Sequence, residues 1–205
     1  MITRRDWIRM TAVSLTILAA AMSMACGGGG GGGNAPPPMV GFAASFTPSE
    51  PNPPSSSITM ASGGSSGSMF RIDIMVKDIN NFFGAAFPVT FDTATATFVS
   101  LDSSGSFIDQ GGAVLDFRAI PSSTDPGTLL VTATRQGAGL SGVSAFGSRK
   151  LITLVFDARS ATVGNTFRFD PTVAERKATT CVVGQMCVEV TEPPLTWHGG
   201  TMTAN

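Results

Sequence analysis

Apolar side chains recur at every second position in the clearest stretches of this chain. Phe70, Ile72, Ile74 and Val76 alternate with Met69, Arg71, Asp73 and Lys77. A period of two puts the first set on one face of an extended strand and the second on the other. Leu151, Thr153, Val155 and Asp157 alternate with Ile152, Leu154 and Phe156. Both sets there carry apolar residues, so the pattern predicts a central strand covered on both sides. Shorter β-rich runs are Val40–Phe46, Ala86–Phe91, Thr97–Leu101, Val114–Ala119, Leu129–Thr134, Thr166–Phe169, Val182–Val183, Val188–Thr191 and Thr196–Thr203. Glycine, asparagine, serine and proline clusters punctuate them at Gly63-Gly64, Asn80-Asn81, Ser103-Ser104-Gly105, Gly111-Gly112, Asp125-Pro126-Gly127, Gly137-Ala138-Gly139 and Val163-Gly164-Asn165. Many short strands separated by such turn signals predict an all-β sandwich.

The N-terminus breaks this pattern. Arg4, Arg5 and Arg9 precede an apolar run from Met10 to Met22, followed by Ser23, Ala25 and Cys26. That order is a secretory signal peptide, and the run is shorter than the ~20 residues a spanning helix needs. Thr3-Arg4-Arg5-Asp6-Trp7-Ile8-Arg9 is similar to the twin-arginine export motif, although the general route fits the same segment. Ser23-Met24-Ala25-Cys26 resembles a bacterial lipobox, which makes Cys26 the expected lipidation site. Ordinary signal-peptidase cleavage would leave the same residue at the mature N-terminus. Gly27 to Gly33 and then Asn34-Ala35-Pro36-Pro37-Pro38 form a tether, flexible and then stiff. It reaches about 20 Å by random-coil scaling. The expected organisation is a signal peptide at 1–25, a tether at 26–38 and one β-sandwich at 39–205. The expected location is outside the inner membrane, facing the periplasm or exterior, with a lipid holding the chain at the outer membrane or cell surface.

Composition narrows the chemistry. The chain has 205 residues, 13 Lys+Arg against 14 Asp+Glu, and a net charge of −1. That balance excludes a strongly basic nucleic-acid binder. There is one histidine, His198, and no tyrosine. No nucleophile or metal-ligand spacing is present, so neither an enzyme nor a cofactor is expected. A glycosidase needs paired carboxylates on one cleft, but Asp92, Asp102, Asp109, Asp116, Asp157 and Asp170 read as turn and strand-end residues. The Asp102–Asp109 stretch lacks the calcium-loop ligand pattern. Beyond Cys26 there are two cysteines, Cys181 and Cys187. They flank Gly184 between two β-rich runs, which suits a hairpin disulfide in an oxidising compartment. Such a short loop is worth about 2 kcal/mol by chain entropy.

Several segments carry a resemblance in order. Phe87-Pro88-Val89-Thr90-Phe91-Asp92 resembles a strand end of cohesin domains, with Phe91 in the place of a tyrosine. Leu129-Leu130-Val131-Thr132-Ala133-Thr134-Arg135 resembles their leucine–valine–arginine strand. Leu140 to Gly147 followed by Leu151-Ile152-Thr153-Leu154-Val155-Phe156, and the close at Leu195 to Met202, are similar to their later strands. The resemblance implies a jelly-roll β-sandwich of about nine strands that docks a dockerin-like partner protein through one sheet face. In scaffoldin cohesins two polar residues contact the dockerin on the strand before this corner. Those places fall on Gly84 and Ala86, which offer no polar side chain, so no dockerin-contact residue carries over. The same fold also serves carbohydrate-binding modules. For a polysaccharide ligand, Trp197 is the candidate stacking residue, with a core role as its competing reading. A structural assembly domain, using an exposed edge strand for self-contact, is the third alternative.

Overall fold

The computed structural model describes residues 41, 43–137, 139–172, 175–190 and 194–205. The signal peptide, the tether and Cys26 lie outside the described residues. Twelve strands form among those described: β1 (Ala44–Pro48), β2 (Ser57–Ser66), β3 (Met69–Thr90), β4 (Ala96–Asp102), β5 (Val114–Pro121), β6 (Thr128–Gln136), β7 (Val143–Ala158), β8 (Thr162–Phe169), β9 (Lys177–Thr180), β10 (Val188–Glu189), β11 (Thr196–His198) and β12 (Gly200–Ala204). The count exceeds nine because β9, β10 and β11 are pieces of two to four residues.

The strands make two layers that share β3. Its first half pairs with β2 on one side and β7 on the other. β7 then pairs with β4, and β2 with the parallel strand β11. The second half of β3 pairs with β6 on one side and with β9 and then β8 on the other. β5 lies outside β6, β10 outside β9, and β8 continues through β12 to β1. Between the layers lies an aromatic core of Phe46, Phe70, Phe91, Phe156 and Phe167.

Asn80-Asn81 is no hairpin turn but the place where β3 changes layers. Glycine and proline aside, the buried residues of β3 are Phe70, Ile72, Ile74 and Val76, then Ile79, then Phe82, then Ala85, Phe87 and Val89. Each step of three marks an extra residue that reverses the inward set. Asp78 and Asn81 take up the first two with φ of 51° and 52°. Asp78 fixes its bulge by accepting from the Gly147 amide at 2.8 Å and the Ser55 hydroxyl at 2.9 Å. The amide donor, more than any other contact, lowers the Asp78 carboxyl below its ordinary range. The beginning of β7 must approach closely here. A Cβ on Gly142 would lie 1.8 Å from the Asn81 carbonyl oxygen, so only glycine fits.

Two further turn signals sit inside strands. Gly63-Gly64 forms an irregularity in β2, between Ser62 and Ser65. Val163-Gly164-Asn165 belongs to β8, where Asn165 is buried. Its Nδ2 donates to the Asp92 carbonyl at 2.9 Å and to Thr95 Oγ1 at 2.7 Å, and its Oδ1 accepts from the Asp92 amide at 3.0 Å. One asparagine therefore clamps the turn between β3 and β4. Val182 and Val183 lie in a turn rather than a strand. The stretch predicted to be covered on both sides is so: residues 151–156 of β7 are all buried between β3 and β4.

Candidate functional site

The two layers present different outer faces. Around β3 and β7 the surface is charged: Arg71 pairs with Asp102 at 3.3 Å, and Asp73 accepts a hydrogen bond from Thr153. Ser104, through its hydroxyl and amide, lowers the Asp102 carboxyl below its usual range.

The outer face built by β5, β6, β3 and β9 is nearly neutral. Cross-strand register brings Asp116 opposite Thr134 and Thr134 opposite Gly84. It likewise brings Arg118 opposite Thr132 and Thr132 opposite Ala86, and sets Ile120 beside Leu130 and Leu130 beside Pro88. Residues directly opposite share a face. Leu130 is 48% exposed and Ile120 55%. Two ion pairs bound the face at its sides, Asp116–Arg118 at 2.8 Å and Lys177–Glu189 at 3.4 Å. Both are solvent-exposed and contribute little to stability. At its centre, Thr132 Oγ1 has no hydrogen-bond partner among the described residues.

Gly84 and Ala86 lie in the middle of this face, flanked by strands on both sides. Gly84 is buried, and a Cβ there would sit 2.6 Å from Thr134 Cβ. The neighbouring strand thus fills the space where a longer side chain would project. The polar groups nearest that space are Thr134 of β6 and Thr179 of β9, both opposite Gly84, while the Thr132 hydroxyl is shielded from solvent. Sequence reasoning missed them because their hydroxyls become a group only through pairing with β3.

Cys181 and Cys187 are joined by a disulfide that closes the turn leading into β10. The Cys181 amide donates to the Asn81 carbonyl at 2.9 Å, and its carbonyl accepts from the Gly142 amide at 2.8 Å. The bridge therefore ties the β9–β10 segment to the corner of β3. Val183 and Met186 project from the turn. Reduction is expected to cost about 2 kcal/mol and lower the melting temperature by about 4–8 °C. Thermal scans with and without reductant measure this directly.

Trp197 lies half-buried against the core, its ring 5.6 Å from Phe87 and 5.0 Å from Phe169, with Arg176 over it at 5.8 Å. His198 Nε2 is 3.1 Å from Thr196 Oγ1. No group of three or more metal-ligating side chains occurs among the described residues. An apolar cavity of about 250 Å³ opens beside Phe91, Phe98, Pro121 and Leu129, at the ends of β5 and β6.

No protein-family model matches this sequence, and no curated protein does. Solved structures do. A type II cohesin domain from the cellulosome of Acetivibrio cellulolyticus is 14% identical, with a TM-score of 0.51 over 72% of this chain and 95% of that one. A type II cohesin from Bacteroides cellulosolvens gives 12%, 0.51, 69% and 94% in the same order. A mutant type II cohesin–X–dockerin complex from Acetivibrio cellulolyticus gives 14%, 0.52, 68% and 93%. At these identities the likeness establishes the fold, a cohesin-like β-sandwich.

Proposed function

We propose that this chain is a non-catalytic module that docks a partner protein through the outer face of β5, β6, β3 and β9, at the cell surface. The observation that carries the reading is the fold shared with a cohesin solved in complex with a dockerin. That fold is joined here to a face with exposed apolar side chains at its Ile120–Leu130–Pro88 end and ion pairs at its sides. Exposed apolar side chains bordered by polar and charged groups suit protein–protein recognition. Trp197 is occupied in core packing, which weakens the case for a sugar-stacking platform. A lipid on Cys26 and a Gly/Pro tether would hold the module off a membrane surface.

The contacts differ from those of scaffoldin cohesins, since Gly84 and Ala86 carry no polar groups. Recognition would instead use the exposed side chains of Leu130 and Ile120 together with the hydroxyls of Thr134 and Thr179. Calorimetric titration of the chain with a panel of dockerin modules tests this. Binding by at least one module is expected, with Leu130→Arg weakening it about tenfold or more while the melting temperature stays unchanged. No binding across the panel, or binding indifferent to Leu130→Arg, would remove the assignment to this face.

A further inference from the structure

β5 is an outer strand with one side open. It pairs with β6 from Val114 opposite Gln136 to Pro121 opposite Leu129, without a register break, and with no other strand among the described residues. Proteins usually blunt such an edge with a lysine, a bulge or a mid-strand proline. β4 carries a register shift between Phe98 and Ser100, and β10 and β11 are only two and three residues long. β5 has none of these protections: eight regular residues, no lysine, and its proline in last place.

Its side chains are ordered about a centre. Val114, Leu115, Asp116, Phe117, Arg118, Ala119 and Ile120 read apolar, apolar, negative, aromatic, positive, apolar, apolar. The charge reverses sign about Phe117 while the apolar character is preserved. An antiparallel partner of the same sequence, with Phe117 opposite Phe117, is therefore complementary at every position. Asp116 meets Arg118 of the second copy, and Arg118 meets its Asp116. Val114 meets Ile120, and Leu115 meets Ala119. Opposite residues in an antiparallel ladder share a face, so both charge pairs and both Val–Ile pairs fall on the outer side. The next pair would place Pro121 opposite Ala113, where the missing amide ends the ladder.

The local geometry leaves room for these contacts. Arg118 donates through Nε to Asp116 within its own strand, while its two Nη groups have no partner among the described residues. Val114 is 66% exposed, and Leu115 and Phe117 pack against the core while remaining half-open at the layer's edge.

We propose that two copies of this chain pair β5 to β5 about a two-fold axis centred on Phe117, joining their layers into one continuous sheet. The interface is isologous and closes on itself, so it yields a dimer and not a fibre. The axis stands perpendicular to the sheet, which puts the two neutral faces side by side and makes the docking unit bivalent. The pairing itself goes beyond the docking assignment and does not rest on it.

Sedimentation equilibrium of the purified full chain over a concentration series tests the proposal. The average mass should rise with concentration toward twice the monomer. Asp116→Arg and Arg118→Asp each set like charges opposite one another twice, and each should weaken self-association about tenfold or more. An equimolar mixture of the two variants restores opposite charges at both positions and should recover the dimer. Leu130→Arg should leave self-association intact, which separates this result from failure of the docking face. A wild-type chain that stays monomeric overturns the proposal, as does a dimer indifferent to the charge reversals or a mixture that fails to pair.

Discussion

Replacing Phe167 with alanine is expected to lower stability by about 3–5 kcal/mol, a large part of the 5–15 kcal/mol that holds a typical domain together. Phe167 is fully buried on β8 and meets four other rings. Their centroids lie 6.0 Å away at Phe46, 5.7 Å at Phe70, 5.4 Å at Phe91 and 4.9 Å at Phe156. Phe70 and Phe156 belong to the opposite layer, so truncation leaves a void between the layers. The surrounding strands cannot close it, because each is held in register by its neighbours. Phe98→Ala is the comparison. Phe98 is partly buried and, among the rings of the described residues, meets Phe156 alone, at 5.6 Å. Its loss should cost about half as much. Urea midpoints for the two variants give the ratio, provided the slope of the transition is unchanged. Equal costs would mean that the cluster around Phe167 contributes nothing beyond area.

The layered core was legible because burial writes itself into alternation. Phe70 to Val76 and the doubly apolar run at residues 151–156 both fold as their spacing predicts. The corner in β3 was not, because a bulge erases the signal that marks a strand. Asp78, Asn81 and the irregularity after Phe82 each add a residue, so the inward set changes parity three times, and the asparagine pair reads as a chain reversal. The glycines at 63 and 64 misled for the same reason: they mark an irregular ladder rather than an end. The docking face was hidden at a different level. Counting along one strand led to Gly84 and Ala86, whereas the side chains beside Gly84 come from β6 and β9, at Thr134 and Thr179, 50 and 95 residues further along the chain. No local pattern announces which strand will lie beside which. The charge order of β5, by contrast, stands in seven consecutive residues. It acquires meaning only when pairing shows that one side of the strand is open.

Asn165 carries the second large effect. Asn165→Leu keeps the side-chain volume nearly constant but removes an acceptor and both amide donors from a buried position. The Asp92 amide then loses its partner inside the protein, and the Thr95 hydroxyl keeps only its own donation to the Asp92 carbonyl at 3.4 Å. The orphaned amide costs about 1–3 kcal/mol and the lost bond to Thr95 about 1, so a total of about 2–4 kcal/mol is expected. The Asp92 carbonyl suffers less, because the Thr95 and Ala96 amides also donate to it, at 3.3 and 3.2 Å. A double-mutant cycle with Thr95→Val isolates the shared contact. Once the Thr95 hydroxyl is gone, Asn165→Leu breaks one hydrogen bond fewer, so the two changes together should cost less than their sum by about 1 kcal/mol. Strict additivity would mean that Asn165 fills space at the β3–β4 turn without clamping it. In that case the turn would owe its shape to the Asp92 side chain, whose Oδ1 accepts from the Ala94 amide at 2.9 Å. Asp92→Ala would then be the more damaging change. With the clamp intact it should be the milder of the two, since the Asp92 backbone groups that Asn165 holds remain in place.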